Sequence, residues 1–182
     1  MIKKYNKKKL HLGNGNDYKK GFVNLDINKK IKADVYSDME SMLFKDNYFD
    51  YVTSLGSLEH YLHPEIGIRE IRRVLKPDGL SCIMVPNSFS LKDIFMVMTR
   101  GGSNIDEQEV VSRSATKNEW GGLIEKNGFK ITKTYRYNEF HPLFKKGTLK
   151  LKSLKKFGKS LLIRLICPFN LAELFFFLAV KN

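Results

Sequence analysis

Four short stretches place residues capable of chemistry directly after apolar runs. Gly13-Asn14-Gly15 follows the run that opens at Lys9. Glycines there let backbone N–H groups come close to a ligand, although a tight turn uses the same residues. Asp26 closes the run Gly21–Ile27 (GFVNLDI), eleven residues after Gly15. A carboxylate in that position can accept both hydroxyls of a ribose; a solvated acid at a strand end looks the same in sequence. Asp38-Met39 follows Ala33–Ser37. Asp38 can accept from an exocyclic amine and Met39 can lie on a purine face, or Asp38 can cap a helix that carries Glu40 and Ser41 in its first turn. Ser54–His60 (SLGSLEH) follows Tyr48–Leu55. Gly56 permits a tight turn, which sets Glu59 and His60 at the edge of a cleft. A lone histidine is more often structural than catalytic. An imidazole that titrates near neutrality is nevertheless suited to taking a proton from a hydroxyl. Weak signals at the ends of four successive runs are stronger together than any one alone.

These residues need a scaffold that brings run ends together. Lys9–Asn14, Gly21–Ile27, Ala33–Ser37 and Tyr48–Leu55 read as strands, and Leu80–Pro86 as a strand covered on both faces. Pro64–Lys76 has Ile68, Ile71, Val74 and Leu75 at helical spacing, with Pro64 in its first turn and Pro77-Asp78-Gly79 as its stop. Ser90–Arg100 is compatible with a helix, and residues 88–112 as a whole are ambiguous. Thr116–Asn127 has Thr116 as N-cap, Glu119 three residues on, and Asn127-Gly128 as its end. Phe129–Tyr137 alternates like a strand, and Leu174–Lys181 (LFFFLAVK) closes the chain as another. The alternation predicts a single α/β domain over residues 1–182. Its sheet is doubly wound and mostly parallel, with an antiparallel strand near the C-terminus. Such sheets bind ligands beyond the carboxyl ends of their strands.

With those elements the sequence resembles the class I S-adenosylmethionine-dependent methyltransferases, in their small bacterial form with a Rossmann-like fold. The matching stretches are LHLGNGN (10–16), VNLDI (23–27), ADVYSDME (33–40), NYFDYVTSLGSLEHY (47–61), EIRRVLKPDGLSCIMVPN (70–87) and FFFLAVK (175–181). The resemblance implies methyl transfer from S-adenosyl-L-methionine. It implies that Gly13, Asn14 and Gly15 contact the methionine and ribose part, that Asp26 binds the ribose hydroxyls, and that Asp38 and Met39 frame the adenine. Ser54 and Leu55 would line the cofactor floor, and His60 would face the acceptor as the base, with His63 and His141 in reserve. Two departures stand out. His11 occupies the place where the family usually has an acid, two residues before the first glycine. Only Asn16–Lys20 is available between the first two strands, which allows a turn and not the usual helix. The Asn-Pro-Pro-Tyr motif of amino-methylating DNA enzymes and paired catalytic cysteines for base C5 methylation are absent from the sequence.

Charge separates the chain into zones. Its 182 residues carry a formal charge of +13. Residues 1–10 hold five Lys and no acid, residues 141–172 hold eight basic residues and no acid, and residues 11–140 balance at eighteen of each sign. In the segment 141–170, inserted before the last strand, Leu151, Leu154, Leu161, Leu162 and Leu165 recur at helical spacing between Lys152, Lys155, Lys156 and Lys159. Such a helix suits peripheral contact with an anionic membrane through residues 145–166, or packing of its Leu face on the sheet. Nucleic acid fits less well, since few aromatics interleave the lysines. Leu161–Val180 has spanning length but contains Arg164, Pro168, Asn170 and Glu173, and reads as two elements broken at Cys167–Asn170. Cys82 and Cys167 stand alone in apolar runs and read as buried reduced thiols, not as metal ligands. Without an apolar leader after the N-terminal lysines, the expectation is a cytoplasmic protein with peripheral membrane contact. The expected activity is methylation of a small molecule, sugar or lipid-linked glycan hydroxyl. An RNA methyltransferase, or a non-catalytic methyltransferase-like module at a membrane surface, is the alternative.

Overall fold

The computed structural model describes residues 7–102, 113–138, 144–145, 148–149 and 167–182. Seven strands form one sheet: β1 (Lys9–Leu12), β2 (Val23–Asp26), β3 (Val35–Tyr36), β4 (Phe49–Leu55), β5 (Leu75–Pro86), β6 (Phe129–Tyr137) and β9 (Leu174–Lys181). Their order across the sheet is β3-β2-β1-β4-β5-β9-β6. All neighbours from β3 to β5 are parallel, and β9 runs antiparallel to both β5 and β6. A separate two-residue pair joins β7 (Phe144–Lys145) to β8 (Thr148–Leu149). This is the doubly wound, mostly parallel sheet that the sequence predicts. The reversal of strand order between β1 and β4 is the switch point where a cleft opens.

Three helices follow the capping rules. α1 (Pro64–Val74) starts on Pro64 and buries Ile68, Ile71 and Val74. α2 (Leu91–Arg100) is capped by Ser90, whose Oγ accepts the Asp93 N–H at 3.0 Å, and ends on Gly101. α3 (Lys117–Lys126) has the full capping box of Thr116 and Glu119 and buries Trp120 and Ile124. α1 and α3 contribute to one buried cluster with Leu10, Leu12, Val52, Ile83, Val85, Phe175 and Phe177, which are alternate residues of β1, β4, β5 and β9. Burying a side chain of that size stabilises by about 1.5–3 kcal/mol. Arg72 Nε donates to the Gly128 carbonyl at 2.9 Å and ties α1 to the end of α3. The intervening residues Leu55, Leu80, Cys82, Met84 and Leu178 point to the other face and are half-buried.

One expectation needs adjustment. The strand predicted from Leu80 begins at Leu75, directly after α1. Phe49 pairs with Leu75 and Tyr51 with Leu80, so Lys76–Gly79 is a bulge within the strand and not a loop before it. The ambiguous stretch after β5 does contain a helix, α2. Of the Leu161–Val180 stretch, the described part holds a 3₁₀ turn at Phe169–Leu171 and strand β9. No helix among the described residues is long and apolar enough to cross a membrane. The predicted basic helix, with the reserve candidate His141, lies outside the described residues. Cys167 is buried and Cys82 half-buried, both free, and burial pushes both thiols up.

Candidate functional site

The carboxyl ends of β1, β2, β3 and β4 are adjacent, because Leu12 pairs with both Leu25 and Ser54, and Asp26 with Tyr36. Four of the sequence-predicted groups therefore meet at one end of the sheet. Gly13 turns the chain with φ +57°, and a Cβ there would lie 2.3 Å from Ser57 Oγ, so only glycine fits. Ser57 Oγ in turn donates to the Leu12 carbonyl at 3.1 Å. The Gly13 N–H donates to the Leu25 carbonyl at 2.8 Å. Gly15 differs: at φ +47° it has open space where a side chain would stand.

Asp26 ends β2 almost fully buried. Its Oδ2 accepts the Gly15 N–H and its Oδ1 the Asn28 N–H, each at 2.8 Å. An ionised carboxylate has about four acceptor positions, so two remain for a ligand's hydroxyls. Asn14 is also buried. Its Nδ2 donates to the carbonyls of Gly15 at 2.8 Å and Lys32 at 3.0 Å, while its Oδ1 has no partner among the described residues. Ser54, at the end of β4, is buried and its Oγ likewise has none among them. Buried polar atoms are normally satisfied, so two such atoms near the carboxyl ends of adjacent strands are sites where a polar group would be accepted.

Asp38 caps the 3₁₀ turn Met39–Ser41, with Oδ1 accepting the Glu40 N–H at 2.8 Å. It also stands beside Tyr61, whose hydroxyl is pushed up to about 12, first by burial and then by that carboxylate. Met39 is fully buried against Gly67 of α1, so its side chain belongs to the core and not to a purine face. Leu55 is half-buried on the opposite side of β4 from Ser54. His60 is exposed in the 3₁₀ turn Leu58–His60 that follows β4, at the cleft edge. His63 is the residue before α1, with Nδ1 3.3 Å from Glu65 Oε1.

The connection Gly13–Phe22 between β1 and β2 contains no helix, as the sequence indicates. Parallel neighbours ordinarily need a crossover of a dozen or more residues. Here a buried asparagine that sequence reasoning missed replaces it. Asn24 Oδ1 accepts the Lys19 N–H at 2.8 Å, and its Nδ2 donates to the Lys19 carbonyl at 3.1 Å and to Asp34 Oδ2 at 2.9 Å. The side chain thus imitates a strand neighbour and clamps the short loop. His11, in the place of the family's acid, is buried too. Thr53 Oγ1 donates to the Leu10 carbonyl, so it accepts the His11 Nδ1 hydrogen at 2.9 Å. His11 Nε2 faces Asp17 at 3.9 Å. Burial, reinforced by the Lys19 ammonium, holds the imidazole below its ordinary value. Alternation hides Asn24 in sequence, since a strand residue of either face has the same spacing. The signal available was a second polar residue, two before Asp26, inside VNLDI.

Comparison with known proteins agrees with this arrangement. Residues 7–83 match the family described as "Methyltransferase domain". A ubiquinone/menaquinone biosynthesis C-methyltransferase of Paraburkholderia xenovorans is 50% identical over 42 residues, 23% of this chain and 17% of that one. A chloroplastic 2-methyl-6-phytyl-1,4-hydroquinone methyltransferase of Arabidopsis thaliana is 42% identical over 52 residues, 29% of this chain and 15% of that one. The match thus spans less than a fifth of either relative. Among solved structures, a SAM-dependent methyltransferase of Thermotoga maritima superposes with TM-score 0.65 at 14% identity, covering 97% of this chain and 83% of the other. An S-adenosylmethionine dependent methyltransferase of Mesorhizobium loti gives 0.62 at 11%, covering 96% and 91%. A 1,6-didemethyltoxoflavin-N1-methyltransferase of Burkholderia thailandensis, with 1,6-didemethyltoxoflavin and S-adenosylhomocysteine bound, gives 0.59 at 13%, covering 97% and 71%.

Proposed function

This chain has the fold of the class I S-adenosylmethionine-dependent methyltransferases, and we propose that it transfers a methyl group from that cofactor to a small-molecule acceptor. The observation that carries the reading is the meeting of Asp26 with Asn14 Oδ1 and Ser54 Oγ, which have no partner among the described residues, at the carboxyl ends of β1, β2 and β4. S-adenosylmethionine supplies an electrophilic methyl on a sulfonium. The chain's own residues bind and orient it. Asp26 accepts the ribose hydroxyls with the acceptor positions its backbone partners leave. Asn14 Oδ1 accepts from the ammonium of the methionine part, next to the open side of Gly15. Asp38 accepts from the adenine amine, and Ser54 and Leu55 form the floor. His60 takes the proton of a hydroxyl acceptor. Its position at the cleft edge supports that role, and alignment of the two reactants is the larger part of the catalysis.

A sugar or lipid-linked glycan hydroxyl remains one acceptor of this kind. The relatives' names favour a quinone-like ring carrying an apolar tail, and the exposed apolar residues at the same end of the sheet, described below, agree with an acceptor of that character. The test is calorimetric titration with S-adenosylhomocysteine, the reaction product. Micromolar binding is expected, with Asp26→Ala about a hundredfold weaker through loss of two charge-assisted hydrogen bonds. No binding at millimolar ligand would overturn the reading. It would leave the non-catalytic module, a view supported by the missing crossover helix.

A further inference from the structure

Several of the exposed apolar residues gather at one end of the sheet. Leu62 (72% exposed) lies beyond the carboxyl end of β4, and Phe89 (57%) beyond that of β5. Phe95 (65%) and Met98 (79%) belong to α2, which starts five residues after Pro86, the last residue of β5. Tyr137 ends β6 and pairs with Leu174, which also pairs with Pro86, so it stands at the same end. Single exposed apolar residues need no explanation, but a group at the ligand end of a sheet does.

α2 concentrates the effect. Leu91, Ile94, Phe95 and Met98 fall on one face at helical spacing, while Lys92, Asp93 and Arg100 fall on the other. None of its ten residues is buried. An isolated helix shorter than about 12–15 residues is marginal in water, and with no fully buried side chain this one leans on its Ser90 and Gly101 caps. A short, well-capped amphipathic helix whose apolar stripe leaves Phe95 and Met98 exposed beside half-buried Leu91 and Ile94 has the properties of an interfacial helix.

Charge indicates the occupant. The acid-free stretch 141–172, with eight basic residues, leaves the sheet after β6 at Tyr137 and returns into β9 at Leu174. Both points are at the carboxyl end, next to the apolar group. Most of the chain's excess positive charge therefore belongs, by sequence, to a segment whose two ends join the sheet beside the apolar group. A second copy of the chain would bring the same positive charge and be repelled; an anionic lipid surface satisfies both features. We propose that α2, with Phe89 beside it, docks this end of the sheet on an anionic bilayer. The mouth of the cleft then faces the lipid.

The test is sedimentation with vesicles of phosphatidylcholine, alone or mixed with phosphatidylglycerol. S-adenosylhomocysteine titration runs in parallel, so that failure of the cofactor site and failure of the docking surface are read separately. The wild-type chain is expected to sediment with the anionic vesicles only and to be released as salt rises. Phe95→Asp with Met98→Asp should weaken vesicle binding by about tenfold or more and leave the titration unchanged, since neither side chain is buried. Phe95→Trp provides a direct readout: its emission should shift to the blue on adding anionic vesicles. Wild-type vesicle binding by the double variant, an unshifted Phe95→Trp spectrum, or a dimer in solution that the double variant dissociates would overturn the proposal.

Discussion

His11 turns a departure from the family's sequence pattern into a measurable property. The unfolded imidazole takes a proton near pH 6.5, whereas the folded ring, buried against Thr53, takes one only at lower pH. Between those two values the unfolded chain binds more protons, so stability is present above about pH 6.5 and is lost as pH falls through the folded value. Thermal midpoints should decline from about pH 7 to pH 5, and His11→Gln should flatten that decline. An unchanged slope in the variant would assign it to other groups. The stability that the lowered carboxylates Asp17, Asp34 and Asp50 contribute is present above about pH 4 and is lost only below it. His60 has a different kind of test. His60→Ala is expected to retain S-adenosylhomocysteine affinity and lose turnover on a hydroxyl acceptor by about 100-fold or more. Normal turnover would remove His60 from the mechanism. The residue scale is also where sequence reading was least complete. Asp26 stands out in sequence as a strand-end acid after a glycine turn, and the structure buries it against the Gly15 N–H. Met39 was read toward the cleft, yet it fills the space left by Gly67, and that packing is not written in the local pattern.

At the scale of elements, the loop between β1 and β2 shows how a missing helix is compensated. Asn24 makes with Lys19 both of the hydrogen bonds that a neighbouring backbone would make, and adds one to Asp34, whose other oxygen accepts from Tyr18 at 2.7 Å. Asn24→Ala strands these buried groups, and a loss of about 1–3 kcal/mol in urea unfolding is expected. The same variant should weaken S-adenosylhomocysteine binding, because the loop it clamps carries Asn14 and Gly15. Stability at the wild-type value would mean that water replaces the side chain. Most elements were legible in the sequence because their signals are local. The Thr116–Glu119 box and Asn127-Gly128 set α3, and alternation marks β6, whose register with β9 shifts between Ile131 and Lys133. The bulge at Lys76–Gly79 was not legible. Pro77-Asp78-Gly79 signals a chain break, but whether strand pairing resumes before or after it depends on Phe49, a partner twenty-six positions away in sequence.

For the whole molecule, the order β3-β2-β1-β4-β5-β9-β6 divides the sheet into two halves with different dependence on sequence distance. The left half, which carries Asn14, Asp26 and Ser54, is contained in residues 9–55. The right half joins β5 to β6 only through β9. Phe175, Phe177 and Ala179 fill the centre of the core from that one strand. Deleting residues 174–182 leaves β5 and β6 with facing bare edges and an unfilled core. The truncated chain should be insoluble or fail to show a cooperative unfolding transition, and a soluble, cooperative product would contradict this account of the core.

That arrangement has a consequence in time. A ribosome releases β5 about ninety residues before β9, a delay on the order of ten seconds at ordinary elongation rates. Throughout it the nascent chain carries an apolar strand, Leu80–Pro86, whose outer edge has nothing to pair with. Such edges are where chains find one another instead of themselves. The yield of folded protein should therefore depend on translation speed and on polysome crowding more than its modest length suggests, and slowing elongation between residues 86 and 174 would lengthen the vulnerable interval.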